Sequence, residues 1–226
     1  HLASVGGSSK PLTRKELLTL IRRYGITAAS EEVVFQENEA VEAAERIGYP
    51  VAMKLASEKI AHKTDVGGVR LWIASRQQAV QAFNHLIKVA EKLGVKEDGV
   101  VVQETVQGLE LIIGSKFDGV FGPIVTVGIG GVLTEVIRDF TVFVSPVEED
   151  EAEMMLNSLR FSKLLEGFRG LPPVDREILR KTIVNFSKIL SENPSISQLE
   201  INPLTVNGEK ALAVDVRGWT SLHEST

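Results

Sequence analysis

The feature that most constrains the fold of this chain is the mixture of two apolar patterns along it. Helical spacing of apolar residues predicts long helices, for example over 75–93 and 175–190. Between the helices lie short apolar runs such as 51–55, which are typical of buried strands. Two further runs, 100–103 and 109–115, are separated by a short turn and predict consecutive paired strands. Because helices and hairpins alternate, we predict an α+β (mixed α/β) fold.

Composition allows one large domain or two small ones. The chain has 226 residues, of which 43% are hydrophobic and 6% aromatic, so Val, Ile, Leu and Ala must form most of the core. The formal net charge is −5 without any block of Lys and Arg, which argues against nucleic acid as a partner. The sequence contains no cysteine, which excludes disulfides and thiol catalysis. No run of 18 apolar residues occurs, so we expect no membrane partner and a cytoplasmic location.

The sequence divides into four expected segments. Residues 1–10 (HLASVGGSSK) lack a starting Met and are rich in small residues, so we interpret them as a flexible segment or a remnant added for expression. A break in the pattern near 94–99 separates an N-terminal lobe, 11–98, from a C-terminal lobe, 99–222. Residues 223–226 form a short tail.

Lys54 ends the predicted strand 51–55. Rigid backbone would hold this side chain in place, so it is able to neutralise a phosphate as a point charge. The alternative is a lysine at the edge of a sheet in water. The residue and its position leave both interpretations open.

His62 stands in a polar loop that ends in Gly67 and Gly68. A histidine nitrogen is a competent nucleophile toward a phosphoryl group, and a mobile loop would let it move between two sites. The two glycines allow backbone to approach phosphate oxygens closely. A surface histidine before a tight turn is the alternative.

A glycine cluster, Gly128, Gly130 and Gly131, follows the predicted strand 124–127. The next residues, 132–138, also read as a strand, whereas a dinucleotide-binding turn opens a helix. The cluster is therefore either a hairpin turn or a phosphate contact. Arg138, at the end of that strand, is able to clamp a phosphate or to form a surface ion pair.

Asn202 and Asp215 lie on sequential predicted strands and are able to converge. Pro203 is expected to end the first strand, so that Asn202 faces an open space. A few side-chain oxygens suit a magnesium ion that keeps some water and bridges nucleotide phosphates. A turn-forming Asn-Pro pair and a solvated Asp are the alternative.

Four segments, taken in order, resemble the ATP-grasp domain of ADP-forming acyl-CoA synthetases. They are 50–54 (PVAMK), 62–69 (HKTDVGGV), 110–114 (ELIIG) and 200–204 (EINPL). The chain is similar to the beta subunit of the archaeal-type ADP-forming acetyl-CoA synthetase and, more distantly, to that of succinyl-CoA synthetase. The resemblance covers about 11–221. It implies an ATP-grasp fold, in which two α+β lobes grip a nucleotide.

The resemblance also implies a phosphoryl relay. In this family a CoA thioester and phosphate give an acyl phosphate, which phosphorylates a histidine on a partner subunit, and the group then passes to ADP. His62 occupies the place of the histidine that carries the group on the nucleotide subunit of the archaeal type. Succinyl-CoA synthetases lack a histidine in this loop.

The family pattern assigns the remaining site residues. Asn202 and Asp215 match its magnesium ligands, so Mg²⁺ and ADP or ATP are expected. The expected nucleotide contacts are Lys54, Gly67, Gly68, Gln103, Glu104, Val106, Glu110 and Arg138. Among these, Gln103, Glu104 and Val106 match the hinge that holds adenine, and Glu110 matches an acidic residue near the ribose.

The same resemblance implies a partner, because the sequence contains no CoA-binding domain. We expect a CoA-binding alpha subunit and an α2β2 assembly. A regulatory nucleotide-binding module of a larger acyltransferase is the main alternative, and a carboxylate–amine ligase or a structural subunit are others. The intact set of His62, Lys54, Asn202 and Asp215 argues against a decayed site, and a carboxylate–amine ligase needs no histidine relay.

Overall fold

The computed structural model describes residues 9–57, 59–60, 63–131, 137–208 and 210–221. Its α-helices are α1 (Arg14–Arg23), α2 (Glu37–Ile47), α3 (Arg76–Leu93), α4 (Glu149–Ser158) and α5 (Arg176–Glu192). Its strands are β1 (Ser9–Pro11), β2 (Glu31–Val34), β3 (Val51–Leu55), β4 (Val69–Ile73), β5 (Val100–Glu104), β6 (Leu109–Asp118), β7 (Gly122–Ile129), β8 (Phe140–Val144), β9 (Ile196–Asn207), β10 (Lys210–Ala213) and β11 (Val216–Ser221). None of these helices is both long and apolar enough to span a bilayer.

The chain forms two compact units. The small unit is Ala29–Thr105, and the large unit combines His1–Ala28 with Val106–Thr226. The mixed helix and strand content confirms the predicted α+β class.

The small unit contains a four-stranded antiparallel sheet in the order β2-β5-β3-β4. Val51, Met53 and Leu55 alternate along β3 and are buried against α2 and α3. The alanine-rich face of α2 is fully buried in the same core. Lys54 is the one β3 residue that is not buried, so it belongs to the sheet face that this core does not use.

The large unit contains a seven-stranded antiparallel sheet in the order β1-β11-β9-β6-β7-β8, with β10 paired to β9. Helices α4 and α5 supply the apolar side chains that cover one face of this sheet, including Met155, Ile183 and Phe186. Helix α1 begins with the predicted capping box of Thr13 and Glu16.

The predicted bounds of the N-terminal lobe were wrong at both ends. Strand β5 pairs with β2 and β3, so the small unit continues to Thr105 and does not stop at residue 98. Residues 11–28 belong to the large unit, because β1 pairs with β11 and α1 packs against that strand. Ser9 and Lys10, which we expected to be flexible, form part of β1.

Two local predictions about strands also need correction. Pro203 does not end a strand, because β9 runs without a break from Ile196 to Asn207. Of the predicted strand 132–138, residues 132–136 lie outside the described residues, and Arg138 has a positive φ of 46° and precedes β8. The predicted tail 223–226 also lies outside the described residues.

Candidate functional site

Asn202 joins three segments of the large unit. Its backbone N–H donates to the carbonyl oxygen of Asp215 at 2.9 Å, so the two residues converge as predicted. Its side-chain Oδ1 accepts the N–H of Gly131 at 3.1 Å. Asn202 therefore contacts Asp215, the second magnesium ligand expected from the sequence, through its backbone and the glycine cluster through its side chain.

Glu110 lies against the same glycine cluster. The backbone N–H of Gly130 donates to the Glu110 carbonyl oxygen at 2.7 Å. Gly131 has a φ of 63°, and a Cβ at that position would overlap the Glu110 carboxylate. Glycine is therefore favoured there by its conformation, and a Cβ would in addition displace the flexible end of the Glu110 side chain. Partial burial raises the pKa of Glu110, because it removes the carboxylate from water.

Asp215 is held by two arginines. Arg217 Nε lies 3.4 Å from one carboxylate oxygen, and Arg14 Nη1 lies 3.9 Å from the other. A cation bound at Asp215 would share the carboxylate with these guanidinium groups. Within the described ranges, no three His, Asp or Glu side chains lie close enough together to hold a metal ion. That result is compatible with magnesium, which uses one or two protein oxygens together with water and phosphate.

Glu200 is a polar residue of this region to which we assigned no role from the sequence. It lies two residues before Asn202 on β9 and pairs across the ladder with Arg217. Burial raises its pKa, and the negative charge of Asp215 adds to this effect. The charge of Arg217 and a hydrogen bond with Asn202 oppose it. The 200–204 segment (EINPL) could have indicated that Glu200 lies beside Asn202, because alternate residues of a strand share a face.

Lys54 and Gln103 share one face of the small sheet. Gln103 pairs with Ala52, and Lys54 pairs with Val101, so all four side chains point away from the face packed against the helices. Gln103 is buried and donates from Nε2 to Glu31 at 2.8 Å.

The other hinge residues do not join that face. Glu104 ends β5 and accepts the N–H of Ser30 at 3.1 Å through its carboxylate. Val106 follows β5 and is the first residue of the large unit after Thr105.

Gly67 and Gly68 close a turn. The N–H of Gly67 donates to the carbonyl of Thr64 at 3.0 Å, and that of Gly68 donates to Lys63 at 2.7 Å. The carbonyl of Gly68 accepts from Leu55, which ties the turn to β3. The two N–H groups that we expected to face phosphate are thus used within the loop in this structure. His62 lies outside the described residues.

Arg138 stands apart from these groups. It is exposed, and its neighbour Asp139 is buried and accepts the N–H of Phe161 at 3.1 Å. Asp139 thus anchors the backbone that follows α4, and the ion pairs among the described residues do not include Arg138.

The chain matches a family model described as an ATP-grasp domain over residues 5–218. It is 38% identical over 211 residues to the 4-hydroxybutyrate–CoA ligase [ADP-forming] of Nitrosopumilus maritimus, covering 91% of this chain and 30% of that protein. It is 34% identical to the acetate–CoA ligase [ADP-forming] I subunit beta of Pyrococcus furiosus, covering 92% of this chain and 91% of the subunit. The chain therefore spans under a third of the first relative and most of the second.

Solved structures of similar proteins indicate the same family as these relatives. The dinucleotide-forming acetyl-coenzyme A synthetase 1 of Ca. Korarchaeum cryptofilum, in complex with coenzyme A and Ca-AMPCP, superposes with a TM-score of 0.85. The two chains are 35% identical, and 93% of each is covered. Another structure of the same enzyme, with Mg-AMPPCP, has its phosphohistidine segment pointing towards the nucleotide-binding site. This chain belongs to the ATP-grasp family that includes the beta subunits of ADP-forming acetate–CoA ligases.

Proposed function

We propose that this chain is the nucleotide-binding beta component of an ADP-forming acyl-CoA synthetase, with acetate–CoA ligase (ADP-forming) as its activity. It passes a phosphoryl group to ADP and so makes ATP. The observation that carries the proposal is the meeting of Asn202, Asp215, Glu110 and the Gly131 N–H in a chain of this family. The named activities of the relatives support it.

Asn202 and Asp215 would hold the magnesium ion. A carbonyl oxygen has two lone pairs, so Asn202 Oδ1 keeps one for a cation while it accepts the Gly131 N–H. Arg14 and Arg217 would hold the Asp215 carboxylate in place. The ion, when bound, neutralises phosphate charge, which is the main requirement of phosphoryl transfer. The Korarchaeum enzyme binds its nucleotide analogue with magnesium.

The nucleotide contacts that the family pattern assigns are part of this proposal. Lys54 would neutralise phosphate charge from its sheet, and Arg138 is a further phosphate contact. Glu110 would accept hydrogen bonds from the ribose. Gln103, Glu104 and Val106 would supply backbone groups to adenine. We assign Gly67 and Gly68 to the shape of the loop that follows His62, because their N–H groups are bonded within it.

His62 would carry the phosphoryl group. In the last step the imidazole N–P bond breaks while a β-phosphate oxygen of ADP forms the new O–P bond, and the electron pair of the broken bond returns to the ring. The phosphohistidine segment of the Korarchaeum enzyme supports this role.

The chemistry of the acyl group and CoA requires a CoA-binding alpha partner, as a separate subunit or as another part of the same polypeptide. The P. furiosus relative is named as a beta subunit, whereas the N. maritimus relative is more than three times the matched length. We propose an α2β2 assembly or its fused equivalent, acting in the cytoplasm, where ADP and CoA thioesters meet. A regulatory role in an acyltransferase has less support, because the relatives named here are ligases.

The test is phosphohistidine formation from γ-labelled ATP with magnesium, first with the chain alone and then with a CoA-binding alpha subunit. Acid-labile label should appear in the unchanged chain and disappear in His62→Ala, which should still bind nucleotide. His223→Gln is the matched control, because it also removes one histidine and that residue is far in sequence from the 62–69 segment. Label that persists in His62→Ala would exclude the relay. If the unchanged chain shows no magnesium-dependent nucleotide binding, the proposed function is excluded.

A further inference from the structure

The small unit has a groove that no step above uses. It lies between β4 and the first half of α3 and has a volume of about 290 Å³. Its polar lining comes from Arg70, Gln78, Gln81 and His85, and its aromatic wall is Trp72. This volume is near the lower end for small-molecule sites, so only a small ligand fits.

The backbone of β4 is strained where it borders the groove. Trp72 has a φ of 58°, a left-handed conformation that bulky residues rarely adopt. The β3–β4 ladder loses register between Val51 and Met53, opposite this part of β4. Leu71 and Trp72 are consequently both exposed, at 62% and 51%, although a regular strand alternates its faces. Residues held in sparsely populated backbone conformations cluster at active sites and ligand-binding sites.

Arg70 is able to accept an anion in the groove. Its Nη2 donates to His85 Nε2 at 2.8 Å, because a guanidinium has only donors. Its other hydrogen bond goes to the Val69 carbonyl at 3.5 Å.

Carboxylates do not compete for Arg70 within the described residues. The nearby Arg76 is paired with Glu45 at 3.1 Å, whereas no described ion pair includes Arg70. The first turn of α3 carries no acidic residue. The groove therefore combines amide side chains, an exposed indole and an arginine that has no carboxylate partner among the described residues.

We propose that this groove is a binding site for a small phosphate monoester with a flat apolar body. The Arg70 fork takes two phosphate oxygens, and Gln81 adds an amide donor. The apolar body packs on the Trp72 ring. The groove adjoins the turn at Gly67, since a Cβ there would lie 3.8 Å from His85 Nε2. The site lies wholly in the small unit and does not depend on the proposed magnesium and nucleotide residues.

The first experiment titrates phenyl phosphate into a Trp219→Phe variant. Trp72 is then the only tryptophan, because the chain has two. A saturable change in Trp72 fluorescence is expected. Inorganic phosphate and acetate are the comparison probes, and both should bind more weakly, because they lack the ring that packs on the indole. The absence of a saturable signal, or equal affinity for acetate and phenyl phosphate, would overturn the proposal.

Variants locate the binding in the groove. Arg70→Gln should weaken phenyl phosphate by about ten- to a hundred-fold, as expected for the loss of charge-assisted hydrogen bonds. Arg76→Gln is the matched control and should bind as before, because Arg76 already has Glu45 as its partner.

A further variant tests the ring directly. Trp72→Gly suits a positive φ and should abolish the preference for phenyl phosphate over phosphate, as measured by ligand-observed NMR. Equal weakening in the two arginine variants, or a preference that survives Trp72→Gly, would assign the binding to surface charge elsewhere.

Discussion

Alanine substitutions at three glycines of the large unit distinguish the cost of backbone strain from the cost of steric overlap. Gly122 has a φ of 76°, and the position of its missing Cβ has no heavy atom within 4 Å. Gly131 has a φ of 63°, and its Cβ would overlap the end of the Glu110 side chain. Gly130 is not in the left-handed region, but its Cβ would overlap the backbone carbonyl of Leu111. Alanine at each position therefore tests a different cost.

The free energy of unfolding should fall by different amounts in the three variants. Gly122→Ala should lose about 1–2 kcal/mol, the cost of a left-handed alanine. Gly131→Ala should lose about the same, because the end of the Glu110 side chain is able to rotate away. Gly130→Ala should lose about 3 kcal/mol, since a backbone carbonyl cannot move without shifting β6 and weakening the bond from Gly130 to Glu110.

The effect on nucleotide binding should follow a different order. Gly131→Ala moves the Glu110 carboxylate, and if Glu110 contacts the ribose, the Kd for Mg-ADP should rise about ten-fold. Gly122→Ala should leave that Kd unchanged, because Gly122 begins β7 beside the turn that follows Asp118.

Urea unfolding and calorimetric titration with Mg-ADP would measure these two quantities. Trp219 fluorescence in a Trp72→Phe background reports on the large unit, since Trp219 lies on β11. If Gly130→Ala is no more destabilising than Gly122→Ala, the overlap with β6 is not real. If Gly131→Ala binds Mg-ADP like the unchanged chain, Glu110 has no part in the nucleotide site.

Three further predictions concern polar groups of the same unit. Burial raises the pKa of Glu200 above 4.5, so the protonated carboxyl stabilises the folded state at low pH and this stabilisation is lost as pH rises through the folded pKa. Glu200→Gln should therefore reduce the fall in the free energy of unfolding between mildly acidic and neutral pH, as measured by urea unfolding. Asn202→Ala should cost about 1–2 kcal/mol, because it removes the hydrogen bond from the Gly131 N–H to Asn202 Oδ1, and should weaken the magnesium dependence of ADP binding, whereas Asn202→Asp should keep that hydrogen bond. Asp139→Ala should cost about 1–3 kcal/mol by thermal or urea unfolding through the lost Phe161 bond, and an unchanged stability would contradict that anchor.

The elements that were predictable depend on local signals. The Thr13–Glu16 capping box and the Ser75 N-cap set the starts of α1 and α3, because both satisfy free N–H groups within one turn of backbone. The apolar run of β3 was predictable because a central strand buries nearly every side chain.

The site was predictable only in part. Asn202 and Asp215 converge as expected, although Asp215 lies in the link between β10 and β11 and not on a strand. Both of those strands pair with β9, which carries Asn202, and this brings the link beside it. The pairing of Glu110 with Gly131 was not evident, since 20 intervening residues include a complete hairpin of β6 and β7. The sequence also did not show that the Gly67 and Gly68 N–H groups form hydrogen bonds within their own loop. Glycine allows both a closed turn of this kind and a conformation in which the N–H groups face a phosphate.

The sequence by itself determined the class of fold, the positions of most helices and strands, and the family to which the chain belongs, because these depend on local periodicity, caps and short ordered segments. Only the tertiary structure decided which strands share a sheet. It placed β5 between β2 and β3 and joined β1 to β11, which moved the boundary between the units. It also brought Glu200, Arg217 and Arg14 beside the predicted magnesium ligands. Strand pairing joins residues far apart in sequence, and the free energy of those contacts has no local signature.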